Sequence, residues 1–377
     1  MSPGVPTLEN LPLMDVAGRA ARVRDQLEGA GYDALLVTRL PNVRYLSGFT
    51  GSAGMLVVAP EELVLLTDGR YETQSREQLE AAGVEARVEI APGGAQNPVL
   101  AQLVAPYPRL GLEAHGITWA QQRVWAGAFT GVTLVATEDV VEGLRRVKEP
   151  GEVARVHAAC AIADDALAAT LPMLADAPTE REFALALEIE MRRRGASGTS
   201  FDTICASGPN GALPHARPSE RRVQRGELVV IDFGCIVDGY CSDMTRTVSV
   251  GDPGPEATRM WDVVRASQQA GREAVVAGVA CAEVDRACRE VIDAAGWGDA
   301  FSHGTGHGVG LEIHEAPRVA KASGGSLDAG VVVTIEPGVY LPGIGGVRLE
   351  DTVVVTDAGA DALTSFPKHL SIESAAA

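Results

Sequence analysis

Short apolar runs alternate with amphipathic stretches through the first third of the chain. Apolar and small residues recur at helical spacing over 15–30, and Gly31 follows as a left-handed terminator. Residues 34–38 then form an apolar run, closed by a Pro-Asn break at Pro41 and Asn42. The same reading predicts strands over 55–59 and 63–67, a helix over 71–82 and a strand over 87–90. It continues with helix 98–104, strand 110–113, helix 119–127 and strand 132–135. Strand and helix in this succession predict an α/β domain, a mixed sheet with flanking helices.

The pattern changes near residue 146. The polar segment RRVKEPGE (145–152) carries a Pro-Gly break and opens into a long helical pattern reaching about residue 174. Pro150 suits a first helical turn, where its missing N–H has no partner to lose. A second helix is expected over 179–194, opened by Thr179 and Glu182 in capping-box spacing. Beyond residue 195 strands dominate, with two further helices expected over 256–278 and 281–295. The expected division is an N-terminal α/β domain over 1–146 and an α+β domain over 147–377.

Two strand pairs in the second domain carry acids where a buried face is expected. In LVVIDFGCIVDGYCSDMTRTVSV (228–250), Asp238-Gly239 is a two-residue hairpin signal. Turning there sets Val237 against Tyr240 and Asp232 against Thr245, with Asp243 diagonal to Asp232 on the same face. In VVVTIEPGVYLPGIGGVRLEDTVVV (331–355), a turn centred on Gly343 sets Glu336 against Glu350 and keeps Arg348 on the same face. Each hairpin therefore delivers two carboxylates inward. Like charges this close repel, and buried acids need a compensating positive charge. Two hairpins of the same geometry point to a pair of divalent metal ions, because carboxylates bridge ions and a two-ion site needs about this many anionic ligands.

One neutral nitrogen ligand completes such a site, and FSHGTGHGVGLEIHEAP (301–317) holds His303, His307 and His314 out of seven histidines in the chain. Its glycines oppose a helix, which excludes a helix-borne H-E-x-x-H zinc site. His215, in SGPNGALPHARPS (207–219), is a fourth candidate.

Composition narrows the classes that remain. With 377 residues, 46% hydrophobic and 22% charged, the chain has the make-up of a globular protein of two or three domains. Its formal charge of −18 argues against nucleic acid or an anionic membrane as partner. The six cysteines form no C-x-x-C pair and are expected to be buried free thiols in a reducing compartment. The first residues lack a signal-peptide pattern, and no run of 18 apolar residues appears, so a cytoplasmic protein without a membrane span is expected.

With these motifs in this order, the sequence resembles the pita-bread metallopeptidases, and among them the Xaa-Pro peptidases, prolidase and aminopeptidase P. SGPNGALPHARPS, IDFGCIVDGYCSDMTRT, HGTGHGVGLEIHE and IEPGVYLPGIGGVRLED carry the resemblance, joined upstream by NVRYLSGFTGS and LLTDGRYETQ. The resemblance implies a creatinase-like N-terminal domain and a pita-bread catalytic domain. It implies a dinuclear site with Asp232, Asp243, His307, Glu336 and Glu350 as ligands, Asp243 and Glu350 bridging. Asp232 then binds one ion, and His307 and Glu336 the other. Creatinase-like and protein-binding relatives lack this metal set. Methionine aminopeptidases share the GHG-x-G…HE segment but usually lack the long N-terminal domain and a histidine like His303.

The chemistry implied is hydrolysis of an Xaa-Pro bond, a tertiary amide that enzymes built for secondary amides handle poorly. Two divalent ions activate water and polarise the scissile carbonyl. Glu336 is the expected general base, shuttling a proton towards the proline nitrogen. By resemblance His215 donates to the oxyanion, His314 and Arg348 hold substrate oxygens, and His303 lines the proline pocket. A dipeptide also presents a carboxylate after the proline. Arg44 is the preferred clamp for it, ahead of Arg70. The reading is therefore a prolidase acting on small peptides with proline second. The alternatives are aminopeptidase P on longer Xaa-Pro-Yaa peptides, a non-catalytic binding protein on this fold and a metal-free amidinohydrolase. Manganese is the expected metal, with Co, Zn or Fe also suited to four carboxylates and an imidazole. Relatives are commonly dimers or larger, so a homo-oligomer is expected.

Overall fold

The computed structural model describes residues 10–372. It divides into two compact units, one of Leu13–Arg145 and one formed by the chain from Arg146 onward together with the segment up to Pro12.

The first unit is built on a six-stranded mixed sheet. Its order is Arg87–Ile90, Leu63–Thr67, Met55–Val58, Ala34–Val37, Arg109–Glu113, Thr133–Thr137. Ala34–Val37 pairs antiparallel with Met55–Val58 and parallel with Arg109–Glu113, which makes the sheet mixed. Leu63–Thr67 is buried at every position, so it reads as a continuous apolar run. The first helix is Arg19–Ala30, and Gly31 closes it at φ 83°. The expected break at Pro41-Asn42 is instead the opening of a helix, Leu40–Ser47. Proline in a first turn loses no hydrogen bond, so here it starts a helix where it was read as an interruption.

In the second unit, helix Pro150–Thr170 opens with a reciprocal capping box between Glu149 and Glu152. Glu180–Arg193 opens with another, between Thr179 and Glu182. Removing such a cap costs about 1 kcal/mol. Both helices cover a sheet of order Met244–Ser249, Leu228–Phe233, Ile204–Ser207, with Ile162, Leu167, Phe183 and Leu187 packed on Ile231 and Met244. A second helix pair, Pro255–Ala274 and Cys281–Ala294, packs Met260, Val264 and Ile292 against Val333, Ile335 and Val353. Those valines and Ile335 belong to a five-stranded sheet that includes Gly306–Gly308, Val332–Ile335 and Asp351–Thr356. Two helix-covered cores therefore lie in one unit, the α+β pita-bread arrangement.

By length and mean hydropathy Pro150–Asp176 is apolar enough to cross a membrane, although it holds no unbroken run of 18 apolar residues. Asp164 and Asp165 interrupt the apolar run without lowering its average enough. In the fold 61% of that window is buried, and the helix is a core element. All six cysteines are buried and unpaired.

Candidate active site

The first hairpin adopts the expected register. Val237 pairs with Tyr240 and Asp232 with Thr245. Asp238 and Gly239 take φ of 44° and 76°, the two positive values a tight two-residue turn demands. In the second hairpin Gly338 pairs with Arg348, and Ile335 pairs with Asp351 in the neighbouring sheet. The register is the same on both sides of the Glu336/Glu350 level, but the ladder is interrupted there. Pro337 has no N–H to give it.

These strands bring Asp232, Asp243 and Glu350 together, with one oxygen of each within 4.8 Å of the others. Asp243 and Glu350 are buried, while Asp232 and Glu336 keep 14% and 18% of their side chains exposed. His307 joins the group from strand Gly306–Gly308. Its Nε2 lies 3.5 Å from Asp243 Oδ2 and 3.6 Å from Glu336 Oε1. Its Nδ1 donates to the Gly308 carbonyl at 3.0 Å, which leaves the Nε2 lone pair turned to the acids. That the histidine sits on a strand agrees with the exclusion of a helical zinc motif.

The electrostatics are those of an under-compensated cluster. Burial, then the neighbouring Glu350, Asp232 and Glu336, drive the Asp243 carboxyl well above the usual range. Burial and the charges of Glu336 and Asp232 do the same to Glu350. Burial pushes Glu336 up to about 8, against the pull of Arg348. It also lowers His307 to about 4, so the imidazole is neutral. Among the described residues, the one cation in contact is Arg348, whose Nη2 donates to Asp232 Oδ2 at 2.6 Å. Among the described residues, Asp232 Oδ1 and Glu350 Oε1 are buried with no hydrogen-bond partner. Two orphaned carboxylate oxygens among four acids are a donor set for hard or borderline divalent cations, so the residues fit metal ions.

The other candidates surround this group. His303 is half-buried. Its Nδ1 donates to the Gly304 carbonyl and its Nε2 accepts from Tyr340 Oη, both at 2.8 Å. Burial lowers its pKa to about 4. His314 is exposed, with its ring centroid 4.4 Å from that of His307. His215 is exposed on the 208–217 loop and exerts a charge effect on both His303 and His314. Arg348 is spent inside the protein. It donates to Asp232, Tyr340 Oη at 2.7 Å, the Pro214 carbonyl and Thr245 Oγ1, leaving one of five N–H groups. Arg44 lies half-buried in Leu40–Ser47 of the first unit, and Arg70 of that unit pairs with Asp68 at 2.7 Å.

Two residues escaped the sequence reading. Tyr340 connects Arg348 to His303, and burial raises its phenol to about 12, so it stays a donor. Glu180 is fully buried and pins both ends of the loop that bears His215. Its oxygens accept from Ser207 N and Oγ, Asn210 Nδ2, and Ser219 N and Oγ, at 2.6–3.1 Å. Tyr340 had a signal, since it alternates onto the face of Glu336 and Arg348. Glu180 had none, because a first-turn acid ordinarily reads as helix-dipole compensation.

Comparison with known proteins agrees with this architecture. Residues 19–147 match the Creatinase/Prolidase N-terminal domain and residues 154–357 match Metallopeptidase family M24. The chain belongs to metallopeptidase family M24 and is a metal-dependent peptidase with the fold of that family. It is 34% identical over 362 residues to the Xaa-Pro dipeptidase of Pyrococcus horikoshii, covering 95% of this chain and 100% of that one. The structure of an Xaa-Pro dipeptidase from Bacillus anthracis superposes with TM-score 0.91 at 36% identity, covering 94% of this chain and 99% of the other. An X-Pro aminopeptidase from Thermotoga maritima superposes with TM-score 0.85 at 34% identity, covering 93% and 100%.

Proposed function

We propose that this chain is an Xaa-Pro dipeptidase holding two divalent cations between Asp232, Asp243, His307, Glu336 and Glu350. The observation that carries the reading is the four-acid cluster with two orphaned oxygens, in a chain similar to two Xaa-Pro dipeptidases. Asp243 and Glu350, the more buried acids, would be shared by both ions. Asp232 would serve one ion, and His307 and Glu336 the other. Bound, the ions supply Lewis-acid polarisation of the scissile carbonyl and lower the pKa of water.

The chain's own groups do the rest. Glu336 moves a proton from the attacking water towards the leaving proline nitrogen. His215 donates to the developing oxyanion, and His314 holds a substrate carbonyl. His303, neutral and fixed by Tyr340 and Gly304, lines the proline pocket. Arg348 holds Asp232 in place and offers substrate its one remaining N–H. Arg44 captures the dipeptide carboxylate, so Arg44→Ala is expected to slow Ala-Pro turnover far more than Ala-Pro-Ala turnover; equal losses would remove it from that role. The domains are 1–146 and 147–377, the native metal manganese, the assembly a homodimer or larger, and the location cytoplasmic.

The test is turnover of Ala-Pro, Ala-Pro-Ala and Ala-Ala with added Mn²⁺ and again after chelation. The reading predicts fastest cleavage of Ala-Pro, none of Ala-Ala, and loss of activity with the chelator. Faster cleavage of Ala-Pro-Ala would move the chain to the aminopeptidase P reading. No cleavage with metal bound would leave a binding protein on this fold.

A further inference from the structure

A second charged site lies one residue along the strand from Glu350, outside the four-acid cluster. Asp351 is 1% exposed and accepts from Arg246 Nη2 at 3.0 Å, Arg272 Nη1 at 3.0 Å and Lys368 Nζ at 2.5 Å. It also accepts from Gln268 at 3.0 Å and Thr364 at 3.2 Å. Three cations thus converge on one carboxylate and supply three of its five donors. Arg246 is satisfied, since it also donates to the carbonyls of Thr245, Glu350 and Phe366. Arg272 and Lys368 are not. Among the described residues, Arg272 Nε is buried without a partner, and each head group makes a single hydrogen bond, to Asp351.

Arg272 and Lys368 line an open cleft of about 680 Å³ between helix Pro255–Ala274 and the segment 364–368. Arg265 lines the same cleft, 3.7 Å from Asp262. Of the other acids nearby, Glu273 accepts from Gln269 at 2.7 Å, while Asp164 spends one oxygen on Ser365 N and Oγ and burial pushes its carboxyl upward. Burial, together with Arg246 and Arg272, also lowers Lys368 against the opposing pull of Asp351. In a chain of net charge −18, this concentration of surplus positive charge in a recess is an exception. Buried charge without a partner is costly, and arginine with lysine in a recess suits a doubly charged tetrahedral oxyanion.

We infer that the cleft is a binding site for a phosphate group, held by Arg272, Lys368 and Arg265, separate from the peptidase centre. The cleft is roomier than bare phosphate requires, so both free phosphate and a small phosphate ester fit the chemistry.

Calorimetry on the metal-loaded enzyme, desalted of free metal, tests this with inorganic phosphate and glycerol 3-phosphate against chloride at matched ionic strength. One saturable phosphate per chain is expected, weakened at least about tenfold by Lys368→Met or Arg272→Met. Arg265 touches neither Asp351 nor the acid cluster. Arg265→Met should therefore fold normally, weaken phosphate several-fold and leave Ala-Pro turnover in phosphate-free buffer unchanged. Tighter binding of the ester would identify a phosphorylated small molecule as ligand, and equal binding would identify the free ion. Chloride reproducing the signal, or phosphate binding equally to wild type and Arg265→Met, would overturn the inference.

Discussion

Glu350 and Asp351 are consecutive residues with opposite surroundings. Glu350 enters a group of four acids contacted by the cation Arg348, and its carboxyl is pushed far up by burial and its neighbours. Asp351 enters a group of three cations. Arg246, Lys368 and Arg272 overcome the effect of burial and hold its carboxyl down at about 2. Strand alternation sends the two side chains to opposite faces, and each face brings its own partners. A carboxylate's protonation is therefore set by what the fold places against it. A surplus of acid calls for an external cation, and a surplus of base for an external anion.

The largest expected difference between the two sites comes from single-residue neutralisation. Glu350→Gln should abolish stoichiometric metal and cut kcat/KM for Ala-Pro by more than about 100-fold, beyond what loss of a residue behind a ligand costs. The same change should leave the melting temperature of metal-free protein unchanged or higher, because it neutralises a carboxyl that burial and its acidic neighbours hold well above its usual range. Calorimetric melting with and without Mn²⁺ reads both effects. Asp351→Asn should do the reverse. Removing the negative charge that three cations share is expected to cost about 3–5 kcal/mol of stability, read by urea unfolding.

A smaller effect separates the sites by pH. The Glu336 carboxyl ionises at about 8 in the metal-free fold and near the ordinary glutamate value when unfolded. Between those values the folded state binds the extra proton, so metal-free stability should fall as pH rises from 5 to 8. Saturating Mn²⁺ should remove or reverse that slope, since metal binds the deprotonated ligands. A metal-free protein that gains stability over this range would contradict the acid-surplus account. The smallest expected effect is that of Glu180→Gln, which unpins the His215 loop. About a tenfold loss in kcat/KM is expected, with little further loss when the change is made in a His215→Ala background.

Much of the site was legible because strand alternation and the Asp238-Gly239 turn leave one register in which Asp232 faces Thr245. Glu336 and Glu350 were readable for the same reason, although the break at Pro337 divides their strands between two sheets. The helix at Leu40–Ser47 was not read, because a proline marks a helix start and a break with the same residue. Glu180 and the Asp351 cluster were beyond reach for another reason. Their partners lie at Ser207–Ser219 and at Arg246, Arg272 and Lys368, and no local periodicity relates residues so far apart in the chain.

The central claim is that the buried acids are a ligand set for two cations. Calorimetric titration of metal-free protein with Mn²⁺ at pH 8, repeated in buffers of different ionisation enthalpy, measures stoichiometry and proton release together. The account predicts two ions per chain, with protons released on binding and both quantities reduced in Glu350→Gln. Wild-type protein that takes up no Mn²⁺, or binds it equally in Glu350→Gln, would contradict it.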